Sequence, residues 1–214
     1  MHIEILVEDD SGKKMLEILV PKLIGEYGNP HTWNIIGYKG IGHIPKGLQG
    51  KTDASKRVLL DRLPRLLAGY SHTPHIDAVV VVVDTDHRDC KKFLQELQHI
   101  AKATPQPLKI MFRLAIEEIE AWYLGDKEAL FAAYPHGRRK QDKLKRYQQD
   151  SICGTWETLA DIIYPKGSFA MKENRAVGAT KYEWAEKITP FMDPEQNQSP
   201  SFAKLRDGLR RLVN

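Results

Sequence analysis

Apolar positions alternate between two spacings along the first half of the chain. Ile3-Glu4-Ile5-Leu6-Val7 reads as a short β-rich run that ends in acids and Gly12. Met15, Ile18, Leu19 and Leu23 then follow helical spacing, with Ser11 as the expected cap. Pro21 falls inside that pattern and is expected to kink or restart the helix. Residues 33–38 predict a second strand, followed by a glycine-rich stretch over 37–50. A second helix fits 53–67, with Asp53 as cap and Val58, Leu59, Leu63, Leu66 and Leu67 as its inner face. Residues 77–84 enclose five consecutive valines, and a run without alternation marks a parallel strand covered on both faces. A helix over 88–103, a strand over 108–114 and a helix over 116–133 complete the order βαβαβαβα. This order predicts an α/β domain over residues 1–134, a four-stranded parallel sheet flanked by helices.

The character changes from Tyr134 onward. Residues 136–150 carry six basic side chains, Arg138, Arg139, Lys140, Lys143, Lys145 and Arg146. Helical patterns over 155–163, 182–191 and 201–212 follow, separated by loops with Pro and Gly, and predict a helical C-terminal appendage over 135–214. Composition agrees with a folded chain: 214 residues, 42% hydrophobic and 28% charged. The two cysteines, Cys90 and Cys153, are far apart, which excludes a disulfide scaffold, a zinc ribbon or an iron–sulfur site. The longest apolar run, 78–83, is too short for a bilayer, and the opening Met1-His2-Ile3-Glu4 lacks a secretory pattern. A soluble, cytoplasmic protein without a membrane partner is expected. The net charge of +4 is compatible with a nucleic-acid partner but does not argue for one.

In an open parallel sheet, ligands bind beyond the carboxyl ends of the strands, where strand order reverses. The first strand runs into Glu8-Asp9-Asp10 and the third into Asp84-Thr85-Asp86. Singly, such acids would only cap helices or face water. Side by side, four or five carboxylates are costly unless a hard cation neutralises them, which points to Mg²⁺ or Mn²⁺. A response-regulator receiver fails for want of a suitably spaced phospho-acceptor, and a haloacid-dehalogenase phosphatase would carry its D-x-D after the first strand. A nucleotide-sugar glycosyltransferase leaves Glu8 unexplained. Gly50-Lys51-Thr52 resembles the end of a P-loop, but the required first glycine falls on Pro45. An anion site using Lys39, Lys46 or Lys51 near the N-terminus of the second helix fits better.

A Glu after the first strand and a D-x-D after the third is the arrangement of the Toprim fold. Further segments extend the likeness: Val7-Glu8-Asp9-Asp10-Ser11-Gly12, Lys39-Gly40, Glu118-Ile-Glu120-Ala-Trp122-Tyr-Leu124-Gly-Asp126 and Ser199-Pro-Ser-Phe202. On these the chain resembles a bacterial Toprim-like family of unknown function related to overcoming-lysogenization-defect (OLD) nucleases. Asp9 and Gly12 depart from the family's Gly and second Glu. The resemblance implies that Asp84 and Asp86 hold Mg²⁺ or Mn²⁺ and that Glu8 acts as ligand or general acid/base. Glu118 and Glu120 would complete a second metal site, or, together with Glu117, would simply suit a helix N-terminus. Trp122 reads as core. Arg138, Arg139 and Lys140 either track a phosphate backbone or form a solvated basic face. The implied activity is metal-dependent phosphodiester hydrolysis on DNA, in phage defence. The alternative is a non-catalytic Toprim module beside a partner ATPase, and a homodimer is compatible with both.

Overall fold

The computed structural model describes residues 1–48, 58–164, 166–173 and 177–214. The valine run forms β3 (Ala78–Asp84), buried along its length until the final aspartate. It pairs in parallel with β1 (His2–Val7) on one side and β4 (Lys109–Ala115) on the other, and β2 (Thr32–Gly37) pairs in parallel with β1. The order β2-β1-β3-β4 makes a four-stranded, all-parallel sheet. Successive strand side chains point to opposite faces, so Val80 and Val82 enter one core while Val79, Val81 and Val83 enter the other. The second face is covered by α2 (Leu59–Ser71) and α3 (Cys90–Lys102), through Leu59, Leu63, Leu67, Phe93 and Leu97.

The first face carries α1 (Asp10–Ile24) and most of the chain beyond β4. There, α4 (Glu120–Leu124), α5 (Lys127–Ala133), α6 (Gln141–Arg146), α7 (Thr155–Ile163) and α8 (Gly167–Glu173) follow in turn. Then come α9 (Val177–Ile188) and α10 (Pro200–Val213). Trp184 of α9 and Phe202, Leu205 and Leu209 of α10 belong to the same apolar cluster as Ile3, Ile5 and Val7. Among the described residues, no helix is long and apolar enough to cross a membrane.

Several boundaries differ from the sequence pattern. Asp9, not Ser11, caps α1: its carboxylate accepts from the Gly12 N–H at 2.7 Å and from the Ser11 hydroxyl. Pro21 neither kinks nor restarts α1, because it lies in the last turn, where Gly25 ends the helix with its N–H on the Pro21 carbonyl. The second helix begins only at Leu59, after Val58, and the expected cap Asp53 lies outside the described residues. The helix expected over 116–133 is split into α4 and α5. Asp126 interrupts it by accepting from the Ala129 N–H and starting a new helix, while the Gly125 carbonyl accepts from Gln198. The pattern over 182–191 is the end of α9 plus a short 3₁₀ turn over Thr189–Phe191.

Candidate active site

Because β2 lies on one side of β1 and β3 on the other, strand order reverses between β1 and β3. Glu8 and Asp84 leave the carboxyl ends of those two strands. They meet there, with the Asp84 backbone N–H donating to Glu8 Oε2 at 3.4 Å. The turn after β2 closes over the same edge: Tyr38 N–H donates to the Val7 carbonyl and Gly40 N–H to the Glu8 carbonyl. Gly40 has φ +99°, a conformation that a side chain would strain. Exposed Lys39 therefore sits in a loop bonded to the backbone of the site.

Asp86 is placed by a second seam. Thr85 N–H donates to the Ala115 carbonyl and Asp86 N–H to the Glu117 carbonyl, while the buried Thr85 hydroxyl accepts from the Glu117 N–H at 2.7 Å. Asp86 and Glu117 both adopt positive φ there, 48° and 59°. The Asp86 carboxylate is half-exposed and lies 3.8 Å from Arg88 Nη1. Glu8 and Asp84 keep part of their surface in contact with solvent. Among the described residues, neither has a salt bridge.

Electrostatics follow from that arrangement. Burial, then repulsion from Asp86, pushes the Glu8 carboxyl up to about 7, against the Asp84 N–H bond and Arg88. Burial and the charges of Glu8 and Glu120 hold Asp84 well above the usual carboxylate range, with Lys181 opposing. Both groups are thus poised to bind a cation or keep a proton.

Glu118 and Glu120 stand beside this pair but are already engaged. Lys181 of α9 donates to Glu118 Oε1 and to Glu120 Oε2, each at 3.1 Å. The other Glu118 oxygen accepts from the Trp156 N–H at 3.1 Å. Burial, then Glu120, raises Glu118 to about 7; burial also raises Glu120 despite the lysine. For Lys181 burial works downward, but Glu120, Glu118 and Asp84 outweigh it and hold the ammonium firmly protonated.

Sequence reasoning gave Glu117 the wrong partner and missed Lys181. Glu117 accepts from the Cys153, Gly154 and Thr155 N–H groups and from the Thr155 hydroxyl, so it anchors the start of α7 rather than its own helix. Lys181 lies far along the chain in no recognisable motif, and the packing of α9 on α1 and α5 brings it to the site.

A family model for a domain of unknown function, DUF4276, matches residues 7–210. The chain belongs to the DUF4276 family. No curated protein and no solved structure matches it. The matched span of this DUF4276 chain covers every candidate residue above. Its Trp122 is fully buried, as expected of core, and donates from the indole to the Ser201 hydroxyl at 2.9 Å; Phe202 packs edge-on against it. The Glu118–Asp126 and Ser199–Phe202 segments therefore meet in space. Gly12 also has a local cause, since a Cβ there would lie 2.7 Å from Val7 Cγ2.

Of the predicted phosphate contacts of the DUF4276 chain, Lys39 lies on the loop over the carboxylates, whereas the basic cluster after α5 has other partners. Arg138 lies 3.5 Å from Glu128 and over the Phe131 ring, and Lys140 donates to the Asp161 carbonyl. Arg139 is exposed between them on a 3₁₀ turn over Pro135–Lys140. Lys51 lies outside the described residues. Among the described residues, no three His, Cys, Asp or Glu side chains stand grouped as a metal site.

Proposed function

We propose that this DUF4276 protein is a divalent-metal-dependent phosphodiesterase of the Toprim type, acting on DNA. The observation that carries the reading is the meeting of Glu8 and Asp84 at the point where strand order reverses. The donor set suits Mg²⁺ or Mn²⁺: hard oxygen ligands, partly open to solvent, with like charges in need of compensation. Magnesium is commonly held by one or two carboxylates together with substrate phosphate, so a pair of acids with a third nearby is sufficient. Glu8 and Asp84 would hold the ion, with Asp86 at the rim. Such an ion supplies positive charge to the phosphate being cleaved and lowers the cost of ionising water. Glu8 serves either as a ligand, held ionised by the cation, or, left off the ion, as the general acid/base that its ion-free value of about 7 suits. Lys39, on the loop over the site, offers charge to the flanking phosphate.

The test is incubation of wild type and Asp84→Asn with supercoiled plasmid and single-stranded DNA, in Mg²⁺, Mn²⁺ or EDTA. Cleavage that needs metal and falls at least ~100-fold in the variant is expected, about 3 kcal/mol of barrier. Metal-dependent cleavage of equal rate in both proteins would remove Asp84 from the chemistry. No cleavage, with Mn²⁺ bound by the wild type alone, would keep the site and move the function to an effector that needs a partner ATPase.

A further inference from the structure

The acids at the carboxyl end of the sheet fall into two groups with different neighbours. Glu8, Asp84 and Asp86 retain contact with solvent. Glu120 is 1% exposed and Glu118 19% exposed, and both are bridged by Lys181, itself 15% exposed. The Lys181 ammonium lies 3.1 Å from one oxygen of each glutamate. The second Glu118 oxygen is held by the Trp156 N–H at the start of α7. A divalent ion at Glu118 would therefore have to displace both an ammonium and a backbone donor. At Glu120 it would have to enter a buried position already paired with the ammonium.

Resting on the phosphodiesterase reading, we propose that Lys181 takes the place of a second metal ion. Its ammonium bridges Glu118 and Glu120 and offsets one of their two charges, so the site accepts one divalent cation, at Glu8 and Asp84, rather than two. Charge counting supports the division. Lys181 offsets one of the two charges of Glu118 and Glu120, and Arg88 lies beside Asp86, whereas Glu8 and Asp84 have no salt bridge among the described residues. The lysine is also a fixed charge, which cannot be chelated away and needs no reorganisation when a phosphate arrives. Its position is over-determined: α9 packs on α1, and the ammonium lies 6.0 Å from the Trp156 ring centroid.

Mn²⁺ titration followed by electron paramagnetic resonance counts bound ions per chain, independently of activity. Wild type is expected to bind one ion and Asp84→Asn none. Lys181→Met keeps the side-chain stem without the charge and frees both glutamates; it is expected to bind two. The triple variant Lys181→Met, Glu118→Gln, Glu120→Gln removes the ion triad as a unit, a change that buried ion pairs commonly tolerate. It should still bind one ion, with affinity within about tenfold of wild type. Circular dichroism confirms that each variant is folded. Two ions on the wild type would overturn the inference but leave the phosphodiesterase reading standing, and so would a folded Lys181→Met that binds only one. Loss of binding in the folded triple variant would make the glutamates ligands and overturn it too. A wild type that binds no ion would remove the metal reading, and this inference with it.

Discussion

Glu8 and Asp84 illustrate a residue-scale conflict between stability and function. Each carboxyl is held above its ordinary value, first by burial and then by neighbouring carboxylates. A raised acid in the folded state means that the folded chain binds more protons than the unfolded one between the two values. Stability therefore falls as pH rises through that window. For Glu8 the window runs from 4.5 to about 7. Replacing Glu8 by Gln removes the ionisation while keeping an oxygen for the Asp84 N–H. In metal-free buffer at pH 8 the variant should melt above wild type by about 2–6 °C. At pH 5 the difference should shrink toward zero. Thermal melts at both pH values, with EDTA, test this, and a Glu8→Gln protein less stable than wild type at pH 8 would contradict the assigned strain. The acids at these two strand ends could be read from the chain because their place follows from strand pattern alone. Lys181 and Glu117 could not, since nothing local tells a lysine on one helix or a glutamate in one loop which distant group it will meet.

At the scale of elements, Glu117 does for α7 what a capping side chain normally does within its own helix. Gly154, the residue before α7, offers no side chain, and the carboxylate comes instead from the loop after β4. Burial alone would raise the Glu117 carboxyl. The bonds from the Thr155 hydroxyl and the Cys153, Gly154 and Thr155 N–H groups outweigh it and bring it below the ordinary value. A depressed acid contributes stability that is complete above the unfolded value of 4.5 and is lost as pH falls through the lower folded value. Glu117→Gln should cost about 1–3 kcal/mol at pH 7, because charge-assisted bonds to a carboxylate become weaker neutral ones. The penalty should narrow below pH 4, which urea unfolding at pH 7 and pH 3.5 measures. A cost unchanged between those pH values would assign the effect to packing rather than to charge. The same loop explains why one helical pattern over 116–133 becomes two short helices. Its apolar spacing is genuine, but Glu117 at positive φ and Asp126 as a cap redirect the chain at either end of α4. Periodicity reports which face is buried; it does not report where a backbone bond to a distant residue ends the helix.

For the whole molecule, the decisive fact is that the sheet's first face is covered largely by helices from the end of the chain. Phe202, Leu205 and Leu209 of α10 are fully buried with Ile3, Ile5 and Val7, and α10 packs on β4 and α1. At about 1.5–3 kcal/mol for each buried apolar side chain, these three contribute an amount comparable to the whole net stability of a domain. Trp122 adds to the dependence, since its indole N–H would be left buried without the Ser201 hydroxyl. A chain ending at Gln198 should therefore lose the cooperative melting of the α/β part as well, with exposed apolar surface and dye binding in its place. The full chain should unfold in a single transition with equal calorimetric and van't Hoff enthalpies. A fragment of residues 1–134 that melts cooperatively by itself would instead make the helical segment an independent appendage. Coupling of this kind bears on the site directly. Lys181 and the α7 start both come from the segment after residue 134, and they hold Glu117, Glu118 and Glu120 next to the strand-end acids. Glu117, Glu118 and Glu120, which precede residue 134, are thus set in place by the segment that follows it, so a variant that loosens α9 or α10 should release these acids as well as the apolar core.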